Sequence, residues 1–81
     1  MNFEELLRRV VAYLREIVQN GDMSERRLAR ATGVSQPHIH HVLSGKRRLS
    51  AEMADQVLHA LHNDLLDFIE PAEIEEWKNR G

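Results

Sequence analysis

Residues 24–48 run SERRLARATGVSQPHIHHVLSGKRR, two short amphipathic segments with a Gly-Val-Ser joint between them. Ser24 is a natural N-cap, with Met23 before it and Leu28 after it placed for a hydrophobic staple. Leu28, Ala29 and Ala31 form the inward side of this first segment, and Gly33 follows it at the joint. Val34 then plugs the core from the turn. Ser35 caps the second segment, and Pro37 sits in its first turn, where a missing N–H does little harm. Gly45 stops it. The spacing predicts a helix-turn-helix over residues 25–44, in which the first helix braces the second at a steep angle.

The rest of the chain supplies helices to pack around that pair. Asn2 is a candidate N-cap, with Glu4 and Glu5 in the first turn, where the helix dipole favours acids. Phe3, Leu6, Leu7, Val10, Val11, Leu14, Ile17 and Val18 recur at helical spacing up to Asn20-Gly21. This stripe covers barely two heptads, so it reads as a core face rather than a coiled-coil seam. Ser50 opens a further helix to about Leu61, with Met53, Ala54, Val57, Leu58 and Leu61 inward. His62-Asn63 breaks it, and Asp64 starts a short fifth helix holding Leu65, Leu66, Phe68 and Ile69. Glu70-Pro71 leads into a final acidic turn or two carrying Ile74 and Trp77. No stretch alternates as a strand would. The expectation is an all-α bundle of about five short helices with a longer first helix. Residues 1–81 form one domain, with an acidic C-terminal extension over 70–81.

The overall charge of −2 conceals a separation of signs along the 81 residues. Residues 24–48 hold six basic side chains and one acidic, residues 1–23 hold three and four, and residues 49–81 hold two and eight. A basic middle and an acidic end imply one surface for a polyanion and another kept away from it. Five histidines sharpen the contrast, because such side chains ordinarily gain a proton near pH ~6.5.

Composition removes several function classes. There is no cysteine, which excludes disulfides and thiolate metal sites and suits a reducing cytoplasm. No apolar run approaches the roughly 20 residues of a membrane span, and Glu4, Glu5, Arg8 and Arg9 are unlike a signal peptide. His38 and His41, like His59 and His62, fall three apart, but a structural zinc site needs four ligands and commonly uses cysteine. No metal and no cofactor is expected. Neither is an enzyme: a glycine-rich phosphate loop and an acidic dyad are missing, and the serines read as helix caps.

With Ile39, Val42 and Leu43 turned inward, the helix 36–44 points Pro37, His41 and Ser44 outward, with His38 and His40 on its flanks. Gln36 lies at its N-terminal tip, the part of a recognition helix that reaches base edges. A glutamine can bond the N6 and N7 of adenine in a bidentate pair, and the proline ring can pack on a thymine methyl. Gln36, Pro37, His38 and His41 are therefore the candidate base-contacting residues. Ser24, Ser35, Ser44 and His40 are candidate phosphate contacts beside the cations Arg26, Arg27, Lys46, Arg47 and Arg48, with Arg30 nearby. Such contacts set register and supply salt-dependent affinity without reading sequence.

Leu28-Ala29-Arg30-Ala31-Thr32-Gly33-Val34-Ser35-Gln36-Pro37-His38-Ile39, followed by Gly45-Lys46-Arg47, resembles the helix-turn-helix of the phage-repressor or Cro-like (XRE) family. The similarity covers about residues 24–69. It implies a bacterial or phage transcriptional regulator that binds operators as a homodimer. It also implies that Gln36, Pro37 and His41 face bases and that Lys46 touches the backbone. The expected partner is double-stranded DNA, and the expected role is sequence-specific regulation, as a repressor. The alternative is a protein-interaction module on the same scaffold, such as an antitoxin gripping a basic partner through the acidic C-terminal part.

Overall fold

The computed structural model describes residues 2–62, which form four helices in the order α1 (Phe3–Gln19), α2 (Glu25–Thr32), α3 (Gln36–Leu43) and α4 (Ala51–Ala60). The described residues contain no strand and are all-α, as the sequence predicts. The expected fifth helix from Asp64, the turns around Ile74 and Trp77 and the acidic extension 70–81 lie outside the described residues.

Each helix begins on a side chain that accepts a hydrogen bond from the N–H three residues on. Asn2 Oδ1 accepts from Glu5 at 2.7 Å, Ser24 Oγ from Arg27 at 3.1 Å, Ser35 Oγ from His38 at 3.3 Å and Ser50 Oγ from Met53 at 3.1 Å. Each bond satisfies an N–H that would otherwise lack an intrahelical partner and contributes about 1 kcal/mol. All four caps were legible as residue types at the right offsets.

The core is wholly apolar: no polar or charged side chain is buried among the described residues. Val10 and Leu14 of α1 meet Leu28 and Ala29 of α2, Ile39, Val42 and Leu43 of α3, and Met53, Ala54, Val57 and Leu58 of α4. Leu49, between α3 and α4, completes the cluster. α1 and α2 each pack against both α3 and α4, so α3 is wedged between two neighbours and has one side left free. Two expected core residues lie elsewhere. Phe3 stands 53% exposed at the very start of α1, ahead of the turn that meets the core. Ala31 is also exposed, because it sits about 200° around α2 from the buried Ala29. Leu61 is half-buried at the edge of the cluster rather than within it.

The α2–α3 joint depends on a backbone conformation that only glycine adopts without strain. Gly33 has φ +77°, and its N–H bonds the Ala29 carbonyl at 2.9 Å, closing α2. Thr32 reinforces the exit: its hydroxyl donates to the Leu28 carbonyl at 2.8 Å and accepts from the Val34 N–H at 3.3 Å. Val34 is thereby turned onto the core. A methyl group at Gly33 would meet no atom within 4 Å, so only the dihedral penalty should operate. Gly33→Ala is expected to lower stability by about 1–2 kcal/mol, roughly 4–8 °C in Tm for each kcal/mol in a domain of this size. Gly33→Asn should lose less, since asparagine tolerates this region better. Equal melting of Gly33→Ala and the wild type would contradict the argument.

Candidate nucleic-acid interface

α3 presents its apolar side to α1 and α2 and its polar side to solvent. Ile39, Val42 and Leu43 are buried, whereas Gln36, Pro37, His40, His41 and Ser44 are exposed and His38 is half-buried. The expected outward set is therefore met at Gln36, Pro37, His41 and Ser44. His38 has only part of its surface available. The helix stops at Leu43 with Ser44 as its cap, one residue before the predicted end at 44.

Two contacts hold α3 that the sequence did not announce. Arg15 of α1 donates from Nε to the Leu43 carbonyl at 2.9 Å, placing a cation on the negative end of the α3 dipole. On the same side of α3, one turn earlier, Glu25, the first residue of α2, receives His40 Nδ1 with both carboxylate oxygens at 3.1 and 3.2 Å. These partners lie 28 and 15 residues apart in sequence, so local pattern carries no signal for them. The only hint was the lack of a cation in the last turn of α3 other than histidine, which leaves its carbonyls to be met from elsewhere.

The loop after α3 folds back upon it. The Lys46 N–H bonds the His41 carbonyl at 2.9 Å, and the Gly45 N–H bonds the Val42 carbonyl at 3.2 Å. This paired closure requires a left-handed residue just past the cap, and Gly45 supplies it at φ +84°. The Arg47 N–H also reaches the His41 carbonyl, at 3.1 Å. Lys46 and Arg47 are thus fastened at the C-terminal end of α3, both exposed. At its N-terminal end, Gln36 lines one shallow depression with Ser24 and Arg26. Ser24, Arg26, Arg27 and Arg30 line another around the start of α2. Cations therefore bracket the exposed side of α3 at both ends.

Three of the expected phosphate contacts have local partners instead of a bare outlook. His40 faces the Glu25 carboxylate, which a phosphate would be repelled by. Arg48 bonds Glu4 of α1 at 3.0 Å while 91% exposed, an ion pair weak enough in water to be exchanged for another anion. The Ser44 hydroxyl donates to the His41 carbonyl at 3.2 Å. Ser24 and Ser35 use only acceptor capacity for capping and keep their O–H to donate.

A family model described as helix-turn-helix matches residues 14–68, more than half of the chain. The chain belongs to the helix-turn-helix family, of the phage-repressor or Cro-like (XRE) type. No curated protein and no solved structure matches it. The matched segment holds α2, α3 and α4 and the end of α1 that carries Arg15. Membership of this helix-turn-helix family makes the protein a DNA-binding regulator. Among the described residues no helix is long and apolar enough to cross a membrane, and no three metal-ligating side chains converge.

Gln36, exposed at the N-terminal tip of α3, is the residue at which base reading is tested. Gln36→Ala is expected to relax preference at one base pair by about 1–3 kcal/mol, where about 1.4 kcal/mol is tenfold. Affinity for unrelated duplexes should barely change in the same gel-shift titrations. A loss of equal size on all duplexes would remove Gln36 from the base-contacting set.

Proposed function

We propose that this protein is a sequence-specific transcriptional repressor that lays α3 in the major groove of its operator. The observation that carries the reading is the exposed polar side of α3, with cations fixed at both of its ends. An α-helix with side chains is about 10–12 Å across, and the major groove is about 12 Å wide, so the fit leaves base edges within reach of the N-terminal tip. Gln36 and Pro37 read bases there, with His41 one turn further along and His38 at the margin. Ser24, Arg26, Arg27 and Ser35 meet phosphates at one end, and Lys46, Arg47 and Arg48 meet them at the other, with Ser44 beside them.

Repression requires only that a site be occupied, which this arrangement supplies without further chemistry. The family resemblance supports a homodimer on two half-sites, with residues 1–81 acting as one domain in the cytoplasm. Selection of bound duplexes from a random pool should return a short motif repeated with two-fold symmetry at one helical turn or a multiple of it. Recovery of no motif would overturn sequence-specific binding.

Electrostatic holding has its own test. The logarithm of the binding constant should fall linearly with the logarithm of salt concentration. Replacing Arg26 and Arg27 by alanine should reduce that slope by about 0.9 for each phosphate no longer neutralised while leaving the selected motif unchanged. An interaction module without a DNA function would show no slope at all.

A further inference from the structure

A groove of about 690 Å³ opens between α1 and the loop that joins α3 to α4. Its floor is apolar, made by Leu7, Val11, Val42 and Leu49. Its rim is cationic, with Arg8, Arg47 and Arg48. Glu4 is the single acid among the described residues that line it, and that carboxylate lies 3.0 Å from Arg48 and 3.9 Å from Arg8. The rim remains net positive. One turn before Leu7 and on the same side of α1, Phe3 is the one large apolar side chain exposed among the described residues. A groove with an apolar base and a basic edge fits an acidic segment that carries large apolar side chains.

The chain contains such a segment. Residues 70–77 read Glu-Pro-Ala-Glu-Ile-Glu-Glu-Trp, four carboxylates around Ile74 and Trp77 with no cation. We propose that residues 70–77 dock in this groove within their own chain, Ile74 and Trp77 on the floor and the carboxylates against Arg8, Arg47 and Arg48. Reach allows it. Ser50, at the start of α4, lines the groove, and the twelve steps from there to His62 cover roughly 18 Å at helical rise. Residues 63–69 span about 10 Å as the helix that the sequence predicts and up to about 25 Å when extended, and the docking takes the longer span. A tether of that length holds the segment near the groove at an effective concentration of millimolar order, which favours the same chain over a second copy.

The groove shares Arg47 and Arg48 with the phosphate contacts proposed above, so docking and DNA binding compete for the same guanidinium groups. This coupling rests on the DNA-binding reading; the docking itself does not. The acidic end then acts as a tethered polyanion that weakens binding to every duplex alike and leaves discrimination to α3.

Trp77 is the only tryptophan in the chain, so its emission and its quenching by acrylamide report the docking directly. In the full-length protein without DNA, emission is expected to be blue-shifted and shielded from quencher, independent of protein concentration. Phe3→Ser and Arg8→Glu each alter an exposed side chain outside the core, and each should move emission toward that of free tryptophan with the helical circular dichroism unchanged. Solvent-like emission in the wild type, or shielding unaffected by both variants, would overturn the proposal. Shielding lost on dilution would transfer the segment to a second copy and overturn it as well. Adding duplex DNA to saturation should expose Trp77, and unchanged emission at saturation would sever docking from DNA binding. Changing Glu70, Glu73, Glu75 and Glu76 together to glutamine should tighten binding to all duplexes and steepen the salt slope by roughly 0.9 for each arginine released. No tightening on any duplex would likewise refute the competition.

Discussion

Burial of Ile39, Val42 and Leu43 is the constraint on which the rest of this structure turns. Those three side chains are driven from water into a core built by α1, α2 and α4, each worth about 1.5–3 kcal/mol when fully buried. Once they face inward, the 100° step of the helix leaves Gln36, Pro37, His41 and Ser44 no direction but outward. The functional side of α3 is thus a by-product of its apolar side. Gly33 sets the angle at which α3 leaves α2, and Arg15 and Glu25 hold it along one flank. A small domain buries too little surface to hold its helices by packing alone, and each of the four carries a side-chain cap at its start.

Electrostatics divides the labour along the same helix. The cations lie at the start of α2 and after α3, not on the exposed side of α3 itself, where histidine and glutamine stand. In the proposed function, long-range attraction and base reading are therefore assigned to different residues, so that each should be alterable without the other. The negative overall charge does not oppose this, because eight of the thirteen acids fall in residues 49–81 and only one in residues 24–48. In the docking proposed above, the acidic end is an internal rival for the same cations.

Much of this arrangement was legible in the sequence, for reasons that differ by element. The caps at Asn2, Ser24, Ser35 and Ser50 were readable because capping is local, a side chain and an N–H three residues away. The inward set on α3 and α4 followed from helical period. Period failed at Phe3 and Ala31, where the stripe on α1 ran past the last partner available and α2 was too short to bury a second flank. The Arg15–Leu43 and Glu25–His40 contacts were invisible because they depend on how separate helices cross, which no local pattern encodes. The same limit explains why His40 and Arg48 looked like free phosphate ligands when each has an acid beside it.

The central claim is that α3 enters the major groove and reads bases there from its N-terminal tip. Methylation interference on a selected duplex tests this most directly, because methyl groups at guanine N7 block the major groove and those at adenine N3 block the minor groove. The account predicts that protein-bound molecules are depleted of N7 methylation within the motif, with N3 methylation tolerated. Depletion at adenine N3 with guanine N7 indifferent would place the contacts in the other groove and contradict it.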